Sequence, residues 1–154
     1  MKIKILPYIP VIFIAFVFIQ SLFFKFSGSY ETQYIFGILS TWSGFHWFRD
    51  YGAYLVGSAE LIASVLLFTR FRFYGALMTV GVMSGAIYFH LFTPLGIHMP
   101  EFNGAGEIVG NDGGALFILA CAVWFSGSFL VVRNIMAKCQ TPCQALNEEG
   151  EPLC

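Results

Sequence analysis

Charged residues are scarce in this chain. Asp, Glu, Lys and Arg make up 11% of its 154 residues, while hydrophobic types make up 57% and the mean hydropathy is +0.72. An ordinary soluble domain carries about 25% charged residues, so that class is excluded and an integral membrane protein is expected, with the lipid bilayer as its first partner. The formal net charge is −1 and no basic run occurs, which excludes a nucleic-acid partner. Walker, GxGxxG and GxSxG motifs are all missing. Only three histidines are present and none forms an HxxxH pair. His98, Glu101, Glu107 and Asp112 therefore read as solvated loop residues, and no metal site is expected. Cysteine is limited to four residues. Cys139, Cys143 and Cys154 fall short of the four ligands of a structural zinc site, and CxxxC is not the redox CxxC. Cys121 has no second cysteine within the apolar runs, so these thiols read as incidental.

Long apolar runs are what the chain has instead. Residues 51–92 hold two of them, separated by the tight basic turn Arg70-Phe71-Arg72. At 1.5 Å per residue each run spans about 27–30 Å, the thickness of a bilayer's hydrocarbon core, so an antiparallel helical hairpin is expected. A first run follows Lys2 and Lys4, with Pro7 and Pro10 in its opening turns, where missing amide donors cost least. It is too long for the apolar part of a signal peptide and reads as a retained helix. The expected architecture is all-α: an integral membrane four-helix bundle over residues 1–138, with helices at about 5–26, 52–69, 73–92 and 113–132. A short amphipathic interfacial helix at about 30–42 would join the first two, opened by Ser29 as cap and Glu31 in its first turn. Its apolar positions Tyr34, Ile35, Ile38, Leu39 and Trp42 share a face. Residues 93–112 read as a Gly- and Pro-bearing loop, and 139–154 as a flexible tail. Small-xxx-small spacings at Gly81/Gly85, Ala53/Gly57 and Ala122/Ser126 are expected to pack helices within the chain.

Lys2, Lys4, Arg70, Arg72, Arg133 and Lys138 fall on one side of this topology, and only Lys25 and Arg49 on the other. The positive-inside rule then puts both termini and the Arg70–Arg72 turn in the cytoplasm. Glu60 comes to lie about 13 Å below the outer end of its helix, taken near Tyr51, with Gln20 and Ser84 at a similar depth. Lys25, His90 and Asp112 lie nearer the outer rim. These six residues are the candidate lining of a polar cavity in the outer half. The bland alternative makes Glu60 a buried group bonded to Lys25 or Gln20 that holds helices in register, and makes His90 an interfacial side chain without a role.

Three segments carry a resemblance: FFKFSG at 23–28, the long run GSAELIASVLLFTRFRFYGALMTVGVMSGAIYFHLFTPLG at 57–96, and NDGGALFILACAVWF at 111–125. Glu60, Gly75-Ala76, the stretch from Gly85-Ala86 to His90, and Asp112-Gly113-Gly114 sit in an order that resembles the DoxX-like family of four-helix bacterial inner-membrane proteins. The resemblance implies an accessory subunit of a redox-associated membrane complex, with a redox protein as partner and a quinone as possible ligand. It names no catalytic residue, and a chain of this kind is not expected to be an enzyme on its own. Two other functions stay open: a small transporter or exporter with Glu60 as a proton-coupled carboxylate, and a membrane assembly or chaperone-type factor without catalysis.

Overall fold

A computed structural model describes residues 8–140. It is mostly helical, with the order α1 (Ile9–Phe26), α2 (Tyr30–Ser43), α3 (Trp47–Leu67), α4 (Arg72–Phe92), β1 (Pro100–Phe102), β2 (Ile108–Asn111) and α5 (Ala115–Gln140). Three helices are long and apolar enough to cross a membrane: α1, α4 and α5 over Ala115–Ala137. They mark the chain as a membrane protein. The expectations resting on Lys2, Lys4, Pro7, Cys143 and Cys154 lie outside the described residues, as do those on the side chains of Lys138 and Cys139.

Each long helix is apolar on two sides. In α1 the stripe Val11, Ile14, Ala15, Phe18 and Leu22 is buried, while Ile12, Phe16, Ile19 and Phe23 point outward, Phe23 with 72% of its surface open. Water would penalise such outward faces and hydrocarbon does not, so a bilayer is the solvent this surface suits. The four long helices pack in the order α1–α3–α4–α5, with α5 returning to α1. Small residues set how closely they approach. The buried stripe of α3 runs Gly52, Ala53, Gly57, Glu60, Ala63, Ser64 and Leu67, and a Cβ on Gly57 would come within 3.0–3.2 Å of Phe26 and Leu22 of α1. A Cβ on Gly75 would lie 2.8 Å from the Leu67 backbone nitrogen, and one on Gly127 would lie 3.1 Å from Thr79.

Several features differ from the sequence expectation. Helix α3 begins at Trp47, five residues before the apolar run, because Gly52 and Phe48 pack against Phe36 of α2 and extend the helix above the run. Its polar first turns also explain why α3, though 21 residues long, is not among the three most apolar helices. Helix α5 starts at Ala115 and continues to Gln140, past the expected end at 132. The pair Gly81/Gly85 is not used inside the chain, for a Cβ on either would meet nothing within 4 Å.

Above the helices sits a cap made of α2, near its expected place, and of a two-stranded antiparallel sheet within residues 93–112, where only a loop was expected. Ser29 caps α2 by accepting from the Thr32 amide at 3.3 Å, and Gly44 ends it at φ 75°. The face of α2 turned to the protein is Thr32, Phe36, Leu39 and Ser40, leaving Tyr34 and Trp42 exposed. In the sheet Pro100 pairs with Asn111 and Phe102 with Ile108, around a bulge. Its turn is held by Asn103, whose Oδ1 accepts from the amides of Ala105 and Glu107, both at 2.9 Å. Phe102 lies against Tyr30 and Tyr34 of α2, and Gly106 (φ 82°) rests on the Tyr30 ring so closely that a Cβ would sit 2.8 Å from it. The cap marks one end of the molecule, and the α3–α4 turn marks the other.

Candidate functional site

Helix geometry brings Lys25 and Glu60 together. Side chains tilt toward a helix's own N-terminus, and α1 and α3 run antiparallel. Lys25, in the last turn of α1, therefore leans away from the cap, while Glu60 leans toward it. The ammonium Nζ of Lys25 donates to both carboxylate oxygens of Glu60, at 3.0 and 2.9 Å, and also to the hydroxyl of Ser21 one turn back. All three of its hydrogens are engaged. Glu60 is 2% exposed, whereas the Lys25 side chain keeps 16% of its surface open. Ser64 donates to the Glu60 backbone carbonyl at 2.8 Å, which steadies this turn of α3. Among the described residues no buried side-chain nitrogen or oxygen is left without a partner.

The other expected site residues do not join this pair. Gln20 faces outward. Ser84, also exposed, accepts from the indole Nε1 of Trp124 at 2.9 Å, a bond between α4 and α5. His90 is buried, with its Nδ1 2.6 Å from the Gly96 carbonyl and its ring edge-on to Phe117 of α5. A carbonyl only accepts, so Nδ1 carries the hydrogen. His90 thereby straps the loop after α4 to the helices. The cavity found at the cap is a shallow apolar one of about 320 Å³, lined by Gly37, Ile38, Thr41, Trp42 and Pro94, and it includes none of the six expected residues.

Asp112 is the junction of the loop and α5. Its Oδ1 accepts from the amides of Met99 (2.8 Å) and Gly114 (2.9 Å), and its Oδ2 from Leu116 at 3.1 Å. Burial raises its pKa, but the amides of Leu116, Met99 and Gly114 and the nearby His90 outweigh that, and the net shift is downward from the ordinary 3.8. A carboxyl with a lowered folded pKa stabilises the fold fully above its unfolded value, and that contribution is lost as pH falls through the folded one. Acid should therefore weaken the cap junction below about pH 3.8, and Asp112→Asn should flatten that part of the pH–stability curve. Asp112→Ala should cost about 0.5–2 kcal/mol at neutral pH, the range for losing a helix-capping side chain. Both are read from thermal midpoints in mild detergent.

No group of three or more His, Cys, Asp or Glu able to hold a metal occurs among the described residues. The feature that sequence reasoning missed is the aromatic contact between α2 and the sheet. Its signal is the turn pair Asn103-Gly104, set between Phe102 and the apolar pair Ile108-Val109. No family model, curated protein or solved structure matches this chain.

Proposed function

We propose that this chain is a four-span membrane subunit that serves a redox-associated complex as an accessory component, without chemistry of its own. In this reading α3 is the fourth span, both termini and the Arg70–Arg72 turn are cytoplasmic, the membrane is the inner one, and the cap faces outward to meet a partner protein. The observation that carries it is the saturated Lys25–Glu60–Ser21 trio. Two ammonium hydrogens and both carboxylate oxygens join α1 to α3, and the third hydrogen is held by Ser21 within α1, which is the arrangement of a helix lock. The redox association follows from the resemblance to the DoxX-like proteins. A quinone is the ligand that resemblance implies, and its carbonyl would have to replace Ser21 on Lys25 from the ammonium's accessible side. A proton-coupled transporter is less well served, because the carboxylate is 2% exposed and both its oxygens are held by Lys25.

The direct test is mass spectrometry of what the protein retains in mild detergent. A stoichiometric protein partner is expected. Retention of quinone with no protein partner would reassign the Lys25 pair as a ligand site, and retention of neither would remove the accessory reading. The orientation is checked with single cysteines in a background lacking the native ones. One at Gly104, in the exposed sheet turn, should react with an impermeant thiol reagent added to intact cells, and one at Phe71 should not. The reverse pattern would invert the proposed topology.

A further inference from the structure

Charge is sorted along the molecule. Among the described residues the end at the α3–α4 turn carries Arg70, Arg72 and Arg133 and no acid, whereas Glu31, Asp50, Glu60, Glu101, Glu107 and Asp112 all lie toward the cap end, with Lys25 and Arg49. At the turn end a cleft of about 100 Å³ opens between the start of α4 and the last turns of α5, lined by Arg72, Leu130, Arg133, Asn134 and Ala137. One water needs only ~10–15 Å³ of such space, so a larger polar group fits.

Arg72 is already set for a ligand. Its Nε donates to the Leu67 carbonyl at 3.0 Å, and its guanidinium lies 4.6 Å over the ring of Tyr8. Those two contacts fix the plane of the fork and leave its terminal amino groups to donate. A guanidinium held in this way is matched to the oxygens of a phosphate, which it can bind in a bidentate manner. Arg133 supplies a second cation from α5, without an acidic partner among the described residues. Asn134 turns its amide nitrogen to the Leu130 carbonyl at 2.7 Å, which leaves its oxygen to accept. The helix segments that meet here also carry exposed apolar side chains, Ile9 and Ile12 on α1 and Phe129, Val132 and Met136 on α5. A phosphate seated here would have hydrocarbon surface beside it.

We propose that this cleft binds the phosphate of an anionic phospholipid, with Arg72 and Arg133 as its two donors. Basic residues at a membrane surface are the groups that recognise anionic headgroups, and here two of them converge on one cavity. The test offers the intact protein, purified in mild detergent, equal amounts of phosphatidylglycerol and phosphatidylcholine, and reads the bound lipids by native mass spectrometry. Phosphatidylglycerol should be retained preferentially. Arg133→Gln, at an exposed helix position where folding is not at stake, should lower the preference about fivefold, the contribution of one basic residue facing an anionic surface. Arg70→Gln should leave it unchanged, because that guanidinium rests on the Phe71 ring and does not line the cleft. Equal retention of the two lipids by the parent protein would overturn the proposal. An equal loss with Arg70→Gln would overturn it too, since it would mean diffuse attraction and not a site. If millimolar inorganic phosphate strips the phosphatidylglycerol, the cleft belongs to a soluble phosphate and the lipid assignment falls.

Discussion

Glu60→Leu is expected to lower the stability of the folded protein by about 3–5 kcal/mol, the cost of stranding one member of a buried ion pair. The low end of that range is the better expectation, because Lys25 lies in the last turn of α1 with 16% of its side chain open and can swing toward water. Lys25→Met should cost a similar amount by leaving the carboxylate against apolar side chains. The double variant Lys25→Met with Glu60→Leu should recover most of the loss, to within about 1–2 kcal/mol of the parent, since apolar residues of like volume often replace a buried pair without penalty. Unfolding in mild detergent, followed by circular dichroism, gives all four corners of the cycle. Additive losses would show that the two groups do not act as a pair in solution. Glu60→Gln preserves the shape and one acceptor for the ammonium and belongs between these extremes.

The second large effect is expected at Gly75. A Cβ there would lie 2.8 Å from the Leu67 nitrogen, 3.0 Å from the Ala63 oxygen and 3.0 Å from the Leu66 Cβ. Two of those neighbours are backbone atoms of α3, so no side chain can turn aside to make room. Gly75→Ala should push α4 off α3 and cost about 1–3 kcal/mol, as overpacking does. Gly81→Ala and Gly85→Ala supply the contrast. Neither Cβ would meet an atom within 4 Å, so these changes should be neutral or favourable by about 0.5–1 kcal/mol through helix propensity. Thermal midpoints of the three variants in one detergent decide the matter. A destabilising Gly85→Ala beside a silent Gly75→Ala would mean that the helices meet along another face.

That contrast shows where sequence reading stops. The apolar runs locate the helices well wherever apolarity and helix coincide: α4 (Arg72–Phe92) starts one residue before the run, and α2 (Tyr30–Ser43) ends one residue past the expected 42. They misplace the start of α3, since Arg49 and Asp50 interrupt the apolar pattern while Phe36 of α2 still holds that turn helical. Depth could be read from sequence, which is why Lys25 stood out as a partner for Glu60. Azimuth could not. Gln20 shares the level of the pair but is turned outward by its position around α1, and Ser84 is turned away around α4. The same limit made Gly81/Gly85 conspicuous as a packing motif and left Gly75 without an expected packing role. The sheet is three and four residues per strand, too short for alternation to show, and only its Asn-Gly turn is readable.

For biosynthesis, the proposed four-span arrangement would make the Lys25–Glu60 bond set an order of events. Helix α1 leaves the ribosome first, with its lysine one residue from its end, where the ammonium can stay in the headgroup layer. Helix α3 follows with a buried carboxylate and two further charges in its opening turn, and an acidic side chain near a helix centre opposes membrane insertion by about 2.5–3.5 kcal/mol. The waiting lysine removes much of that obstacle. With α3 as the fourth span proposed above, its entry into the bilayer would be tied to the presence of α1, and a chain beginning at α2 would be expected to stall at the membrane surface, with α3 open to proteolysis.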